Sequence, residues 1–94
     1  MNELNIVIPE NFAVDEADEL REKINYLMNN GEKNFKLDFS KCNFIDSTGL
    51  GVLVSTYKKC KNINGSLKLY SINEQVMKVF NMTRLDKVFE IHNH

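Results

Sequence analysis

Two kinds of hydrophobic periodicity alternate along this chain, and the alternation constrains its fold more than any other feature. Short apolar runs with strand character predict strands at 4–8, 34–39, 66–72 and 88–91. Apolar residues at helical spacing predict helices between them, at 15–29, 48–61 and 74–81. The order βαβαβαβ therefore predicts a small, open α/β sheet of about four mostly parallel strands with helices packed on it.

Local signals give the boundaries of these elements. Pro9 ends the first strand, and the segment "PENFAV" that follows is predicted to be a loop. Asp15 is predicted to cap the first helix, and Gly31 to end it in a left-handed conformation. Asn73 or Ser71 is predicted to cap the third helix.

Composition narrows the class of protein. The chain of 94 residues is expected to form one domain, 1–94, and its 43% hydrophobic content is enough for a core. A net charge of −1 disfavours nucleic-acid binding, and no apolar run approaches the roughly 18 residues of a membrane span. Cys42 and Cys60 fit neither a disulfide scaffold nor a zinc site, which indicates reduced thiols in a cytoplasmic protein.

The segment "NFIDSTGLGVL", residues 43–53, is unusual for the start of a helix. Asp46, Ser47 and Thr48 are polar, and Gly49 and Gly51 each weaken the helix by roughly 1 kcal/mol relative to alanine. The segment follows the second predicted strand. In open α/β sheets, ligands and partners are met at the carboxyl ends of strands.

Two chemical interpretations of this segment are disfavoured. The glycine spacing matches neither phosphate-binding fingerprint, and no lysine holds the phosphate-gripping position. A nucleophilic Ser47 would need an acid and a histidine, yet His92 and His94 stand at the extreme C-terminus. Catalysis would become a candidate again only if the fold brought His92 near Ser47.

Two further interpretations remain. Ser47 or Thr48 caps the second helix, which satisfies backbone N–H groups but leaves the glycines unexplained. Alternatively, Ser47 is a phosphorylation site at a helix N-terminus, where the chain itself tolerates an anion. A phosphate there would add about two negative charges beside Asp46 and exclude a docked partner.

The motif also carries a family resemblance. "FIDSTGLGVL" resembles the signature of the anti-sigma factor antagonists (anti-anti-sigma factors) of the STAS domain family. "INEQVMKVFNMTRLDKVFEI" is similar to the closing helix, turn and last strand of that family, although Arg84 stands where its "TGLD" turn has glycine. "PENFAVDEADEL" departs from the family pattern, with Ala13 or Val14 where an acid is usual. The resemblance implies a STAS-type sheet with helices mainly on one side.

The resemblance implies partner switching. The unphosphorylated chain would bind a serine-kinase anti-sigma factor and free the sigma factor, until the kinase phosphorylates Ser47 with its own ATP and magnesium. A PP2C-type phosphatase would reverse the modification. The chain itself would be a monomer that needs no cofactor and catalyses nothing. The alternative is a STAS scaffold or accessory subunit, not phosphorylated, in a transport or stressosome-like complex.

The predicted partner surface combines the "PENFAV" loop with the start of the second helix. Leu50 is assigned to the core, and Val52 is predicted to be an exposed apolar contact. The predicted partner-binding residues are Asn11, Phe12, Ala13, Asp46, Ser47, Thr48, Gly49, Gly51 and Val52.

Overall fold

The helices and strands are those of a computed structural model, which describes residues 2–93. The strands are Leu4–Val7 (β1), Asn11–Phe12 (β2), Asn34–Asp38 (β3), Phe44–Ile45 (β4), Ser66–Tyr70 (β5) and Glu90–His92 (β6). The helices are Val14–Asn29 (α1), Ser47–Asn62 (α2) and Glu74–Met82 (α3), followed by a short 3-10 turn, Leu85–Lys87. His94, named above with His92, lies outside the described residues.

The main sheet confirms the predicted architecture. Its strand order is β1-β3-β5-β6, all its pairings are parallel, and its strands alternate with the three helices. The prediction of a loop throughout "PENFAV" is wrong, because β2 lies within it and pairs in parallel with β4 as a separate small sheet. Strands of two residues are too short for hydrophobic periodicity to reveal them.

The core lies on one face of the main sheet. Phe35 and Leu37 of β3 point into it and are fully buried, whereas Lys36 between them is only half-buried on the opposite face. Phe39, directly after β3, contacts Phe80 of α3 edge to face at a centroid distance of 6.1 Å. The helices therefore pack on one side of the sheet and leave its other, polar face uncovered.

Helix ends match the predictions at some sites and differ at others. Gly31 has a φ of 94° and ends α1 as predicted, and Asn73 caps α3, its Oδ1 accepting from Val76 N at 2.8 Å. The prediction that Asp15 caps α1 is wrong. Ala13 is the extended residue before that helix, and its N–H donates to the Glu16 carboxylate at 3.4 Å. Asp15 instead lies in the first turn, where the helix dipole favours an acid.

The last strand begins two residues later and ends one residue later than predicted. The last strand begins at Glu90, because residues 85–87 form the 3-10 turn that brings Phe89 into the core. Arg84 precedes that turn with a left-handed φ of 64°. Glycine adopts this conformation without strain, whereas other L-residues are disfavoured there.

No helix within residues 2–93 is long and apolar enough to cross a bilayer.

The loop between α2 and β5 depends on a close backbone contact. Gly65 donates its N–H to Cys60 O at 2.7 Å, and the next residue, Ser66, donates to Lys33 O at 2.9 Å. A Cβ atom on Gly65 would lie only 2.0 Å from the same carbonyl oxygen of Lys33. Because both sides of this contact are backbone, the chain cannot relieve the clash by rotating a side chain.

We expect Gly65→Ala to lower the free energy of unfolding by at least about 1–3 kcal/mol, the usual cost of forcing an atom into a filled space. Gly51→Ala is the matched control, since a Cβ atom on Gly51 meets nothing within 4 Å. That helical substitution should raise the free energy of unfolding by roughly 0.5–1 kcal/mol. Urea denaturation measures both changes, and equal effects of the two variants would contradict the packing described.

Candidate functional site

Two helices begin side by side at the carboxyl edge of the strands. The chain leaves β2 through Ala13 into α1, and it leaves β4 through Asp46 into α2. β2 and β4 run parallel, with Phe12 opposite Ile45, and Asp46 N donates to Phe12 O at 3.4 Å. The small sheet therefore fixes the starting points of α1 and α2 relative to each other.

Asp46 is the residue that caps α2. Its Oδ1 accepts from Gly49 N at 2.9 Å, and its backbone oxygen accepts from Leu50 N at 3.0 Å. The prediction that Ser47 or Thr48 provides the cap is therefore wrong. A cap must stay extended with its side chain turned back towards the helix, and Asp46 has that conformation, with a φ of −109°. This assignment leaves the hydroxyl of Ser47 unused by the helix start.

Ser47 and Thr48 differ in accessibility. Ser47 is the first residue of α2 and is exposed, whereas Thr48, the second, is half-buried. Within residues 2–93, neither the Ser47 N–H nor the Thr48 N–H donates a hydrogen bond to the protein. The exposed hydroxyl of Ser47 thus lies beside unused backbone donors at the positive end of the α2 dipole.

Gly49 allows α2 to lie directly on β2. A Cβ atom there would be 2.7 Å from Phe12 O, 2.8 Å from Phe12 Cδ2 and 3.0 Å from Ile45 Cγ1. Gly49 is buried, so its predicted place on the partner surface is wrong, and its role is close packing within the chain. Gly51 is exposed with open space around it and remains a predicted contact.

The buried side of α2 is rotated by about one residue from the predicted one. Val52 is only 8% exposed, so the prediction of an exposed contact there is wrong, and Leu50 is half-buried against the core. Gly49 and Thr56 also face the interior, and at Gly49 the neighbouring atoms of β2 and β4 leave no room for a Cβ atom. A pattern that counts only apolar residues misses that side of the helix.

The predicted partner-binding residues separate into three groups by exposure. Phe12 is fully buried in the core together with Gly49 and Val52, so its predicted place on the surface is also wrong for its side chain. The remaining predicted residues are exposed (Asn11, Ser47, Gly51) or half-buried (Ala13, Asp46, Thr48). These six remain predicted contacts.

Two exposed apolar residues at this edge are absent from the list of predicted partner-binding residues, although Val14 lies within the predicted "PENFAV" surface and only Phe44 lies outside it. Phe44 is 51% exposed and Val14, the first residue of α1, is 52% exposed. Phe44 lies opposite Asn11 in the small sheet and points away from its buried neighbour Ile45. Only the pairing of β2 with β4 reveals this orientation. The sequence signal for this contact is the aromatic residue Phe44, two positions before Asp46.

Backbone and side-chain hydrogen bonds tie the neighbouring loops to this edge. Asn43 N donates to Glu10 O at 2.8 Å, which joins the segment before β4 to the segment before β2. Asn73 Nδ2 donates to Cys42 O at 3.0 Å and to Asn43 Oδ1 at 3.2 Å, which joins the start of α3 to the same segment. The exposed residues around Ser47 are therefore held by a braced framework.

The reactive side chains elsewhere are not arranged for chemistry on Ser47. Burial raises the pKa of the Cys42 thiol and raises that of Cys60 to about 11, so both stay protonated at neutral pH. His92 lies on the uncovered face of the sheet, stacked on Tyr70 and bonded to Glu90 at 2.6 Å, whereas α2 lies on the other face. Within residues 2–93, no three acidic, histidine or cysteine side chains are grouped as metal ligands.

We expect Asp46→Ala to lower the free energy of unfolding by about 1 kcal/mol, because it leaves the N–H of Gly49 without its partner. Asp46→Asn is the matched control: its side-chain oxygen can still accept that hydrogen bond, so stability should change by no more than a few tenths of that amount. Thermal and urea unfolding measure both. Equal losses in the two variants would show that charge, not the cap, is what matters at this position.

Comparison with known proteins agrees with this architecture. The "Anti-sigma-B factor antagonist" of Bacillus subtilis (strain 168) is 34% identical over 90 residues, which are 96% of this chain and 82% of that protein. A crystal structure from Thermotoga maritima superposes with a TM-score of 0.86 at 27% identity, covering 96% of this chain and 80% of that one.

The fold is also that of the anti-sigma factor antagonist SpoIIAA. The unphosphorylated form superposes with a TM-score of 0.84 at 18% identity, over 100% of this chain and 83% of that one. The phosphorylated form from Bacillus superposes with a TM-score of 0.77. The family model described as "STAS domain" matches residues 5–94. With nearly its whole length matched, this chain belongs to the STAS domain family.

Proposed function

We propose that this chain is an anti-sigma factor antagonist whose unphosphorylated form binds a serine-kinase anti-sigma factor and thereby frees a sigma factor. The observation that carries the proposal is the exposed Ser47 at the first position of a helix already capped by Asp46. The name of the Bacillus subtilis relative supports the class of partner. In this proposal, the chain is a binding protein and a substrate, not a catalyst.

The regulatory step is phosphoryl transfer to Ser47. The Ser47 Oγ attacks the γ-phosphorus of ATP held with magnesium by the partner kinase, so an Oγ–P bond forms while the bond to the β-phosphate oxygen breaks. ADP leaves, and the hydroxyl proton passes to a base of the kinase. A PP2C-type phosphatase then hydrolyses the phosphoserine. ATP and magnesium belong to the kinase, so the chain needs no cofactor of its own.

The local structure supports a phosphate that leaves the fold intact. The unused N–H groups of Ser47 and Thr48 and the α2 dipole favour an anion, while the Asp46 carboxylate opposes it. Asp46 already satisfies Gly49 N, so the cap does not depend on the Ser47 hydroxyl. These opposed contributions predict little change in stability on phosphorylation.

The effect on a docked partner would be large. Phosphorylation adds about −1.5 to −2 charges at neutral pH to a surface that includes the exposed apolar side chains of Phe44 and Val14. A partner that covers these side chains would have to desolvate the new charge. The phosphate would therefore release the kinase from a monomeric, cytoplasmic antagonist whose own fold is unchanged.

We expect Ser47→Asp to weaken binding to a serine-kinase anti-sigma factor from the same organism by at least about tenfold, which corresponds to roughly 1.4 kcal/mol. Ser47→Ala should bind like the unmodified chain and accept no phosphate. Ser55→Ala, on an exposed serine of the same helix, is the control and should behave as wild type. Titration calorimetry measures the affinities, and mass spectrometry locates the phosphate. Equal affinity of the Asp and Ala variants, or phosphate on Thr48, would contradict the switch.

We also expect Phe44→Ala to weaken the same complex by about tenfold or more, since exposed aromatic residues are common binding hot spots. Its stability should fall little, because half of the side chain is already in water. Met82→Ala is the matched control: this residue is 82% exposed at the C-terminal end of α3, at the opposite edge of the molecule. Equal loss of affinity in the two variants would argue against a contact centred on Phe44.

A further inference from the structure

A groove of about 610 Å³ separates the outer side of β1 from α1. Leu20, Lys23 and Tyr26 belong to one stripe along α1 at helical spacing, and this stripe forms one wall. Ile6 and Val7 of β1 belong to the other wall. None of these residues is among the predicted partner-binding residues around Ser47. Pro9 of the "PENFAV" segment also lines the groove, so the groove adjoins the predicted partner surface at that residue but does not include Ser47.

The β1 wall offers free backbone groups. β1 is the first strand in the sheet order, and within residues 2–93 it pairs with β3 alone. Ile8 N donates to Asp38 O at 2.8 Å, and N–H directions alternate along a strand. The N–H and C=O groups of Asn5 and Val7 therefore point away from β3, into the space beside β1. An edge of this kind is a template for one more strand.

The groove also exposes apolar surface. Val7 is 48% exposed and Tyr26 is 68% exposed, while Ile6 and Leu20 beneath them are nearly fully buried. Neighbouring residues of a strand point to opposite faces, so Val7 lies on the uncovered face of the sheet, whereas Tyr26 lies on the side of α1. One set of alternate side chains on a strand laid beside β1 would therefore cover Val7, and the other set would lie beside Tyr26.

The charges along the α1 wall of the groove favour a bound segment of one sign of charge. Among the described residues that line the groove, three are acidic (Glu16, Glu19 and Glu22) and one, Lys23, is basic. Glu16 accepts a hydrogen bond from Ala13 N, but neither Glu19 nor Glu22 forms an ion pair within residues 2–93. A second copy of this chain, paired edge to edge about a two-fold axis, would bring the same carboxylates together. The acidic wall complements lysine or arginine instead.

We propose that β1 and α1 form a second docking surface, which accepts an extended, basic segment of another protein as an added strand beside β1. Backbone hydrogen bonds to Asn5 and Val7 would hold the segment. Apolar residues of one alternate set would cover Val7 on the uncovered face, and lysine or arginine residues of the other set would lie beside Tyr26 and pair with Glu19 and Glu22 of α1. This binding does not depend on the phosphorylation state of Ser47.

The test is an NMR titration of the full, ¹⁵N-labelled chain with two synthetic ten-residue peptides. One peptide alternates lysine with valine and the other alternates glutamate with valine. We expect the lysine peptide to shift the amide signals of residues 4–7 and of the α1 stripe, and the glutamate peptide to leave them unchanged. Shifts centred on other surfaces, no shifts with the lysine peptide, or equal shifts with both peptides would overturn the proposal.

Charge-reversal variants test whether binding of the lysine peptide depends on Glu19 and Glu22. Glu19→Lys with Glu22→Lys should weaken binding of the lysine peptide at least tenfold; both residues are exposed, so the fold should be retained. Glu74→Lys with Glu90→Lys, two exposed residues outside the groove, makes the same change in net charge and should leave the affinity within twofold. Equal losses would show general charge attraction and would overturn the site. Concentration-dependent shifts of β1 without peptide would show that a second copy is the occupant, which would also overturn it.

Discussion

The start of α2 rests on the carbonyl oxygen of Phe12 at a distance that only glycine permits. A Cβ atom on Gly49 would come within 2.7 Å of that oxygen, and the two-residue strand β2 exists only through its pairing with β4. This contact brings the N-termini of α1 and α2 together and keeps the interior under them closed. The exposed Ser47, the extended Asp46 and the half-exposed Phe44 all adjoin this contact along the chain.

The sequence predicted the main architecture because that architecture depends on long periodic segments. The central strands β3 and β5 and all three helices were located to within a few residues, and so were the cap at Asn73 and the left-handed Gly31. The family resemblance also singled out Arg84 as a departure at a glycine position. The φ of 64° at Arg84 explains why glycine is usual at this position, because the turn needs a left-handed residue there.

Features that depend on close tertiary contact could not be predicted in the same way. Periodicity treats Gly49 and Thr56 as non-core residues, yet both face the interior, and Gly49 does so in direct contact with Phe12. Because the prediction left these small residues out of the core, it placed Val52 on the exposed side of α2. The cap at Asp46 was missed because Ser47 and Thr48 are equally good capping types, and only backbone conformation separates the three. The small β2–β4 sheet, and with it the buried Phe12, has no signal in a single sequence.

In the proposed switch, the phosphorylated residue is exposed at the surface, and the hydrogen bonds beneath it hold the backbone in place. Asp46 holds α2 whether or not Ser47 carries a phosphate, and Asn43 and Asn73 brace the adjoining loops. The modification would therefore act on what can dock and not on how the chain folds. The groove beside β1 adjoins this edge at Pro9 but does not include Ser47, which would allow a second partner to bind in either state.

The most direct test of this account compares the unmodified chain with the same chain stoichiometrically phosphorylated on Ser47. Titration calorimetry against one serine-kinase anti-sigma factor and thermal unfolding would be measured on both forms. The account predicts an affinity loss of at least about tenfold with a midpoint of unfolding that changes by only a few degrees. Unchanged affinity would contradict it, and so would a loss of affinity that accompanies unfolding of the phosphorylated chain.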